Sequence, residues 1–217
     1  MRVENKVVAA VYRGLLVAVC LTGLILNFTT WGPGAAGLLS YYTIQSNIVV
    51  LVFFAYLLCR WRRPEAAASP TLKGAVTVCI TLTFLVYHFV LRPMLFSMGA
   101  ETYVPSPANA LVHYAVPLMV IADWLLFDDK GEMKKLDPVK WLAIPLAYLL
   151  FALARAPFGL YPGTSRRYPY FFIDIDEYGG AQVALNCVVF GVGYALLGYL
   201  VFGVDRLIPA VAARWRR

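Results

Sequence analysis

Residues 40–54 read SYYTIQSNIVVLVFF. The stretch opens on hydroxyls and amides, at Thr43, Gln45, Ser46 and Asn47, then runs wholly apolar to Phe54. The continuation AYLLC carries the run to residue 59, where Arg60 ends it. Apolar and polar residues do not alternate, so a membrane strand does not fit. The run approaches the roughly 20 residues that a helix needs to cross a bilayer. In lipid every backbone group must be satisfied internally, which selects a helix. A buried hydroxyl or amide is costly unless paired, so the polar mouth of this helix points to a cap, a polar pocket or a site.

The same continuous pattern recurs along the chain. Apolar runs at 7–27, 41–59, 72–91, 108–127, 139–156 and 181–203 predict six transmembrane helices. The fifth is the weakest, being short, with Pro145 inside it and Arg155 at its end. Of 217 residues, 61% are hydrophobic and only 14% charged, and the mean hydropathy is +0.69. A soluble domain would carry nearer 25% charge. The fold expected is an all-α polytopic membrane protein, residues 1–217 forming one helical domain. The first run reads as a retained helix rather than a cleaved leader, because it is long and no small-residue cleavage site follows closely. Cys20, Cys59, Cys79 and Cys187 lie in or at the ends of runs, without metal-like spacing. No metal or cofactor is expected, and the cysteines read as packing residues.

Basic residues set the orientation. With six spans, both termini share a side, and 15 of the 19 lysines and arginines fall on it. Only Arg92, Arg155, Arg166 and Arg167 fall opposite. The positive-inside rule then puts both termini in the cytoplasm. The net charge of +7 is explained by topology, so no nucleic-acid partner is expected.

Depth brings the intramembrane polar residues together. Thr43 begins the second span, His88 ends the third, and His113 lies early in the fourth. All three fall roughly 5–8 Å inside the outer edge of the apolar layer. Asn186, early in the sixth span, reaches a similar depth. Thr43 shares a helix face with Ser46 and Asn47, and Asn109 shares one with His113. Pro117 stands four residues after His113, so the carbonyl of His113 is expected to lose its helical donor. His88 and His113 are the only two histidines. Ionisable residues at membrane depth are expensive and tend to be functional. Asp123, deeper in the fourth span, reads as a structural partner for a basic residue.

Two motifs, LLSYYTIQSNIVVLVFF and ANALVHYAVPLMVIADWLL, resemble the motif helices of the androgen-induced and androgen-dependent TFPI-regulating protein family of multi-span membrane hydrolases. Asn109, Val116-Pro117 and the YPYFF loop at 168–172 are similar in position. The resemblance implies an intramembrane hydrolase of fatty acid esters of hydroxy fatty acids, with Thr43 as nucleophile and His113 as base. It implies a lipid ester as substrate and no cofactor. Ser46, Asn47 and Asn109 are then candidate donors for the oxyanion or for holding His113, and His88 and Asn186 candidate contacts for substrate. Asp174 or Asp176 would orient the imidazole from the last outer loop. The expected setting is the plasma membrane, with the site near the outer leaflet. Two other readings remain: a b-type haem protein, with His88 and His113 as axial ligands, and a small transporter or accessory protein without catalysis.

Overall fold

The computed structural model describes residues 3–62, 69–97, 99, 106–160 and 165–214. Among these there are six helices long and apolar enough to cross a membrane. They are α1 (Lys6–Trp31), α2 (Tyr42–Cys59), α3 (Pro70–Ser97), α4 (Pro107–Phe127), α5 (Asp137–Phe158) and α6 (Ile175–Arg214). No strand occurs among the described residues. The chain is an all-α protein with the make-up of a multi-pass membrane protein, as its composition predicts.

Local chemistry explains the helix ends. Asn5 caps α1 by accepting from the amides of Val7 and Val8. Gly32, at φ 57°, stops α1 where a residue with a side chain would be strained. A 3-10 segment, Gly32–Ser40, then leads into α2. Ser69 caps α3, with Pro70 at its first position. α5 begins earlier and ends later than its apolar run. Pro145 lies in its second segment, Ala143–Arg155, so near the start that it interrupts little. Arg155 donates to the carbonyls of Gly159, Leu160 and Arg167, holding the loop that follows.

α1, α2, α3 and α4 pack into one core around Leu16, Cys20, Val50, Phe54, Ile80 and Val116. Gly23 lets α1 approach α4 closely: a methyl there would stand 3.0 Å from the Cβ of Leu111. Outward faces stay apolar, with Val11, Val52, Leu150, Val188 and Leu196 exposed, as a bilayer solvent requires. One end of the bundle gathers ions. Asp123 accepts from Arg13 at 2.8 Å and from Lys73, and Asp128 meets the same two cations at 3.4 and 3.2 Å. Asp123 is thus paired as expected.

The helices α3 and α4 share an irregularity. Each contains a π turn, at Tyr87–Leu91 and Leu111–Ala115, and each π turn contains one of the two histidines. The turns interlock. Tyr87 stacks on His113 with ring centroids 3.9 Å apart, and His88 Nδ1 lies 3.1 Å from the hydroxyl of Tyr114. Single π turns inside helices recur at functional sites, because they re-aim side chains without ending the helix.

Candidate active site

Thr43 occupies the second position of α2, and His113 the middle of the α4 π turn. Both are buried. Thr43 Oγ1 lies 3.2 Å from His113 Nε2. The other ring nitrogen, Nδ1, lies 3.1 Å from the carbonyl oxygen of Asn109. A carbonyl only accepts, so Nδ1 carries the hydrogen and, in the neutral ring, Nε2 is the acceptor. The hydroxyl of Thr43 therefore donates to Nε2. This is the arrangement of a hydroxyl nucleophile, a base, and a third group that fixes the base's tautomer. The third group is a backbone carbonyl.

Of the residues the sequence offered for holding His113, Asn109 does so, through its backbone, and the carboxylates Asp174 and Asp176 do not. Asp174 accepts from the amides of Asp176 and Glu177 and from Arg166, capping the start of α6. Asp176 pairs with Arg167. Neither bonds the imidazole. The freed carbonyl in α4 also differs by one residue. In the π turn the amide of Val116 donates to the carbonyl of Leu111. Pro117 has no amide to offer, so the carbonyl of Val112 falls to a side chain, and Asn47 Nδ2 donates to it at 3.1 Å.

Asn47 is fully buried, and its second amide hydrogen goes to the carbonyl of Thr43 at 2.8 Å. It fastens the turn of Thr43 to the turn of His113. Ser46 also meets Thr43 through that carbonyl, at 3.0 Å, and lies 2.8 Å from the hydroxyl of Thr83 on α3. Both residues thus reach Thr43's backbone, not its hydroxyl. Asn109 donates its side-chain amide to the hydroxyl of Tyr87, whose ring covers His113. His88 is half-buried against Phe84 and Tyr114, one residue outside the contact between Tyr87 and His113. Asn186 stands apart from Thr43 and donates to the carbonyl of Phe172 at 2.9 Å, pinning the 168–173 loop to α6.

Compared with protein families, curated proteins and solved structures, the chain matches none. The arrangement of its own side chains therefore carries the functional argument.

That arrangement includes residues the sequence reading passed over. Tyr170, from the YPYFF loop, is buried beside Thr43, with its phenol close to the Thr43 side chain and to the first amides of α2, those of Tyr42 and Thr43. Burial pushes its phenol up to about 12, offset in part by the Thr43 contact, so Tyr170 stays a protonated donor at physiological pH. Asn27 donates to the carbonyls of Gly23 and Ala108, tying α1 to the start of α4. Its sequence context, Asn-Phe-Thr, fits a glycosylation signal, but the amide is buried and committed. The signals for Tyr170 and Asn27 were faint, since tyrosines crowd the ends of membrane helices and one asparagine in α1 has no partner visible in sequence.

Two apolar cavities meet at Thr43. One, of about 380 Å³, runs past His113, Tyr87, Trp31, Met94 and Asn27. The other, of about 370 Å³, lies among Leu82, Val86, Leu146, Leu149 and Phe190. Thr43, Leu91 and Tyr170 line both. Thr43 thus stands in the wall shared by two apolar arms.

Proposed function

We propose that this chain is an intramembrane threonine hydrolase that cleaves lipid carboxylic esters. The observation that carries the reading is the 3.2 Å contact between Thr43 Oγ1 and a His113 whose other nitrogen is held by the carbonyl of Asn109. Thr43 attacks the ester carbonyl carbon as its proton passes to Nε2. The bond to the alcohol oxygen then breaks, and Nε2 returns the proton to the departing alkoxide. Water, deprotonated by the same nitrogen, attacks the acyl-threonine; the bond from the acyl carbon to Oγ1 breaks, Nε2 returns the proton to Oγ1, and the acid is released. No step calls for a cofactor.

The two cavities support an ester with a hydrocarbon arm on each side, the acyl chain in one and the alcohol chain in the other. Fatty acid esters of hydroxy fatty acids, which the family resemblance implies as substrates, have this shape. The distribution of basic residues supports cytoplasmic termini, and with them a site in the outer half of the bilayer; the plasma membrane is the setting we propose. The haem reading is less well supported. Both nitrogens of His113 are engaged by Thr43 and Asn109, and Tyr87 covers its face.

The test is hydrolysis of a branched fatty acid ester of a hydroxy fatty acid by purified protein in detergent. Thr43→Ala and His113→Ala are each expected to abolish turnover, and the double variant to be no worse, since residues acting as a unit are non-additive. Thr43→Ser retains measurable turnover. Turnover like the parent's in both alanine variants overturns the proposal.

A further inference from the structure

Resting on that reading, we infer that the Tyr170 hydroxyl is the oxyanion donor, polarised by the amides at the start of α2. An ester carbonyl under attack develops a full negative charge on oxygen, and in a water-poor site that charge requires donors already in place. The amides nearest in sequence are committed elsewhere: Asn47 gives both hydrogens to backbone carbonyls, and Asn109 donates to Tyr87. Ser46 gives its hydrogen to the carbonyl of Thr43.

Tyr170 lines both cavities together with Thr43, so it lies where the carbonyl of a two-armed ester must lie, and its phenol is close to the Thr43 side chain. The backbone amides of Tyr42 and Thr43 flank the same hydroxyl. The opening amides of a helix have no intrahelical acceptor. The residue before α2, Tyr41, provides no side-chain cap for them. The positive end of the α2 dipole adds to their effect.

The change on reaction is small. In the resting site the Thr43 proton points at Nε2, leaving the lone pairs of Oγ1 to accept from Tyr170. When Oγ1 bonds to carbon, the carbonyl π pair moves onto oxygen, and that oxygen becomes a geminal neighbour of Oγ1. Two oxygens on one tetrahedral carbon sit closer together than a hydrogen bond is long. The phenolic hydrogen therefore transfers its bond from one to the other by rotation, with the proton remaining on Tyr170. The loop is rigid enough for this role. Tyr170 packs edge-on to Tyr41 at 5.8 Å and stacks on Phe172 at 5.2 Å, and Asn186 holds the carbonyl of Phe172.

The experiment compares Tyr170→Phe, Tyr168→Phe and Thr43→Ala in detergent, with thermal unfolding as a folding control. Tyr168 is on the same loop and also buried. Tyr170→Phe is expected to lower kcat on the order of 100-fold or more at nearly unchanged KM, as losing one oxyanion donor does. Tyr168→Phe should keep the parent's kcat. If Thr43→Ala is dead and Tyr170→Phe turns over like the parent, the inference fails while the threonine-hydrolase reading stands. If Thr43→Ala is itself active, the reading fails first and takes the inference with it. Equal losses in both tyrosine variants, or a rise in KM alone, would mean that the loop matters only through packing, and overturn the donor role. Should Tyr170→Phe not fold, 3-fluorotyrosine at 170 replaces it, since it keeps a hydroxyl but acidifies it. A changed kcat at constant KM supports the inference, and an unchanged kcat refutes it.

Discussion

The two ends of this bundle solve the problem of burying polar groups in opposite ways. At one end, full charges pair with full charges. Arg13 and Lys73 share Asp123 and Asp128, and the carboxylate of Asp205 receives the amide of Met133. At the other end, around Thr43, the contacts among hydroxyl, imidazole, amide and carbonyl involve no ionised side chain. Ion pairs tolerate loose geometry, because charge attraction falls off slowly with distance. Neutral hydrogen bonds demand alignment, and alignment is what a proton transfer requires. The cluster around Asp123 therefore serves mainly to hold α1, α3 and α4 together, and the cluster around Thr43 to aim atoms.

The sharpest way to break the comparison is to ask which side of a membrane each end faces. In a Cys59→Ser background, which removes the exposed native thiol, Ser165→Cys should react with an impermeant thiol reagent in intact cells. Lys135→Cys should stay silent until the membrane is opened. Labelling of 135 with silence at 165 would reverse the orientation.

Next in size is Asp123→Ala. It strands two cations that Asp128 can only partly compensate, and removing one partner of a buried pair costs about 3–5 kcal/mol. Thermal unfolding in detergent should show the loss, while the kcat of the surviving folded protein stays close to the parent's. A fall in kcat at unchanged stability would dissolve the division of labour. Asn47→Ala should sit between the two ends in character. Leaving the Val112 carbonyl without its donor costs about 1–3 kcal/mol. Because Asn47 also ties α2 to the π turn, kcat should fall with stability. A loss of stability alone would make it only a packing residue. The smallest effect expected is from His88→Ala, a reduction of a few-fold at most, since it reaches the site only through its neighbours Tyr87 and Tyr114. Complete inactivation would give that histidine a direct part.

The architecture was legible because lipid makes helices compulsory and the apolar runs mark them. The pairing of Thr43 with His113 was legible through depth, with Thr43, His88 and His113 falling in one layer, and through a family resemblance on two short motifs. The partners were not. That Asn109 would orient His113 through its backbone depends on a π turn, which no composition signals. For the same reason the carbonyl exposed by Pro117 is that of Val112, one residue before the α-helical count. Asn47 and Ser46 were visible as a polar cluster, but whether they reach the hydroxyl or the carbonyl of Thr43 is decided by rotamers. Tyr170 comes from a loop more than a hundred residues away in sequence, and nothing local links it to Thr43.

The π turn at Leu111–Ala115 makes the site depend on how many residues the helix contains there, and not only on which. Removing one, Leu111 for instance, would let the helix wind as an ordinary α-helix. The flanks would keep nearly the same phase, because the wide turn absorbs that one residue, but the step from Asn109 to His113 would fall from four residues to three. Asn109 would leave the imidazole, and the carbonyl that Asn47 fills would turn elsewhere. Thr43 and His113 would both still be present in the sequence. A one-codon deletion in this turn is thus a silent way to dismantle the proposed site, invisible to any inspection that checks only whether its threonine and histidine survive.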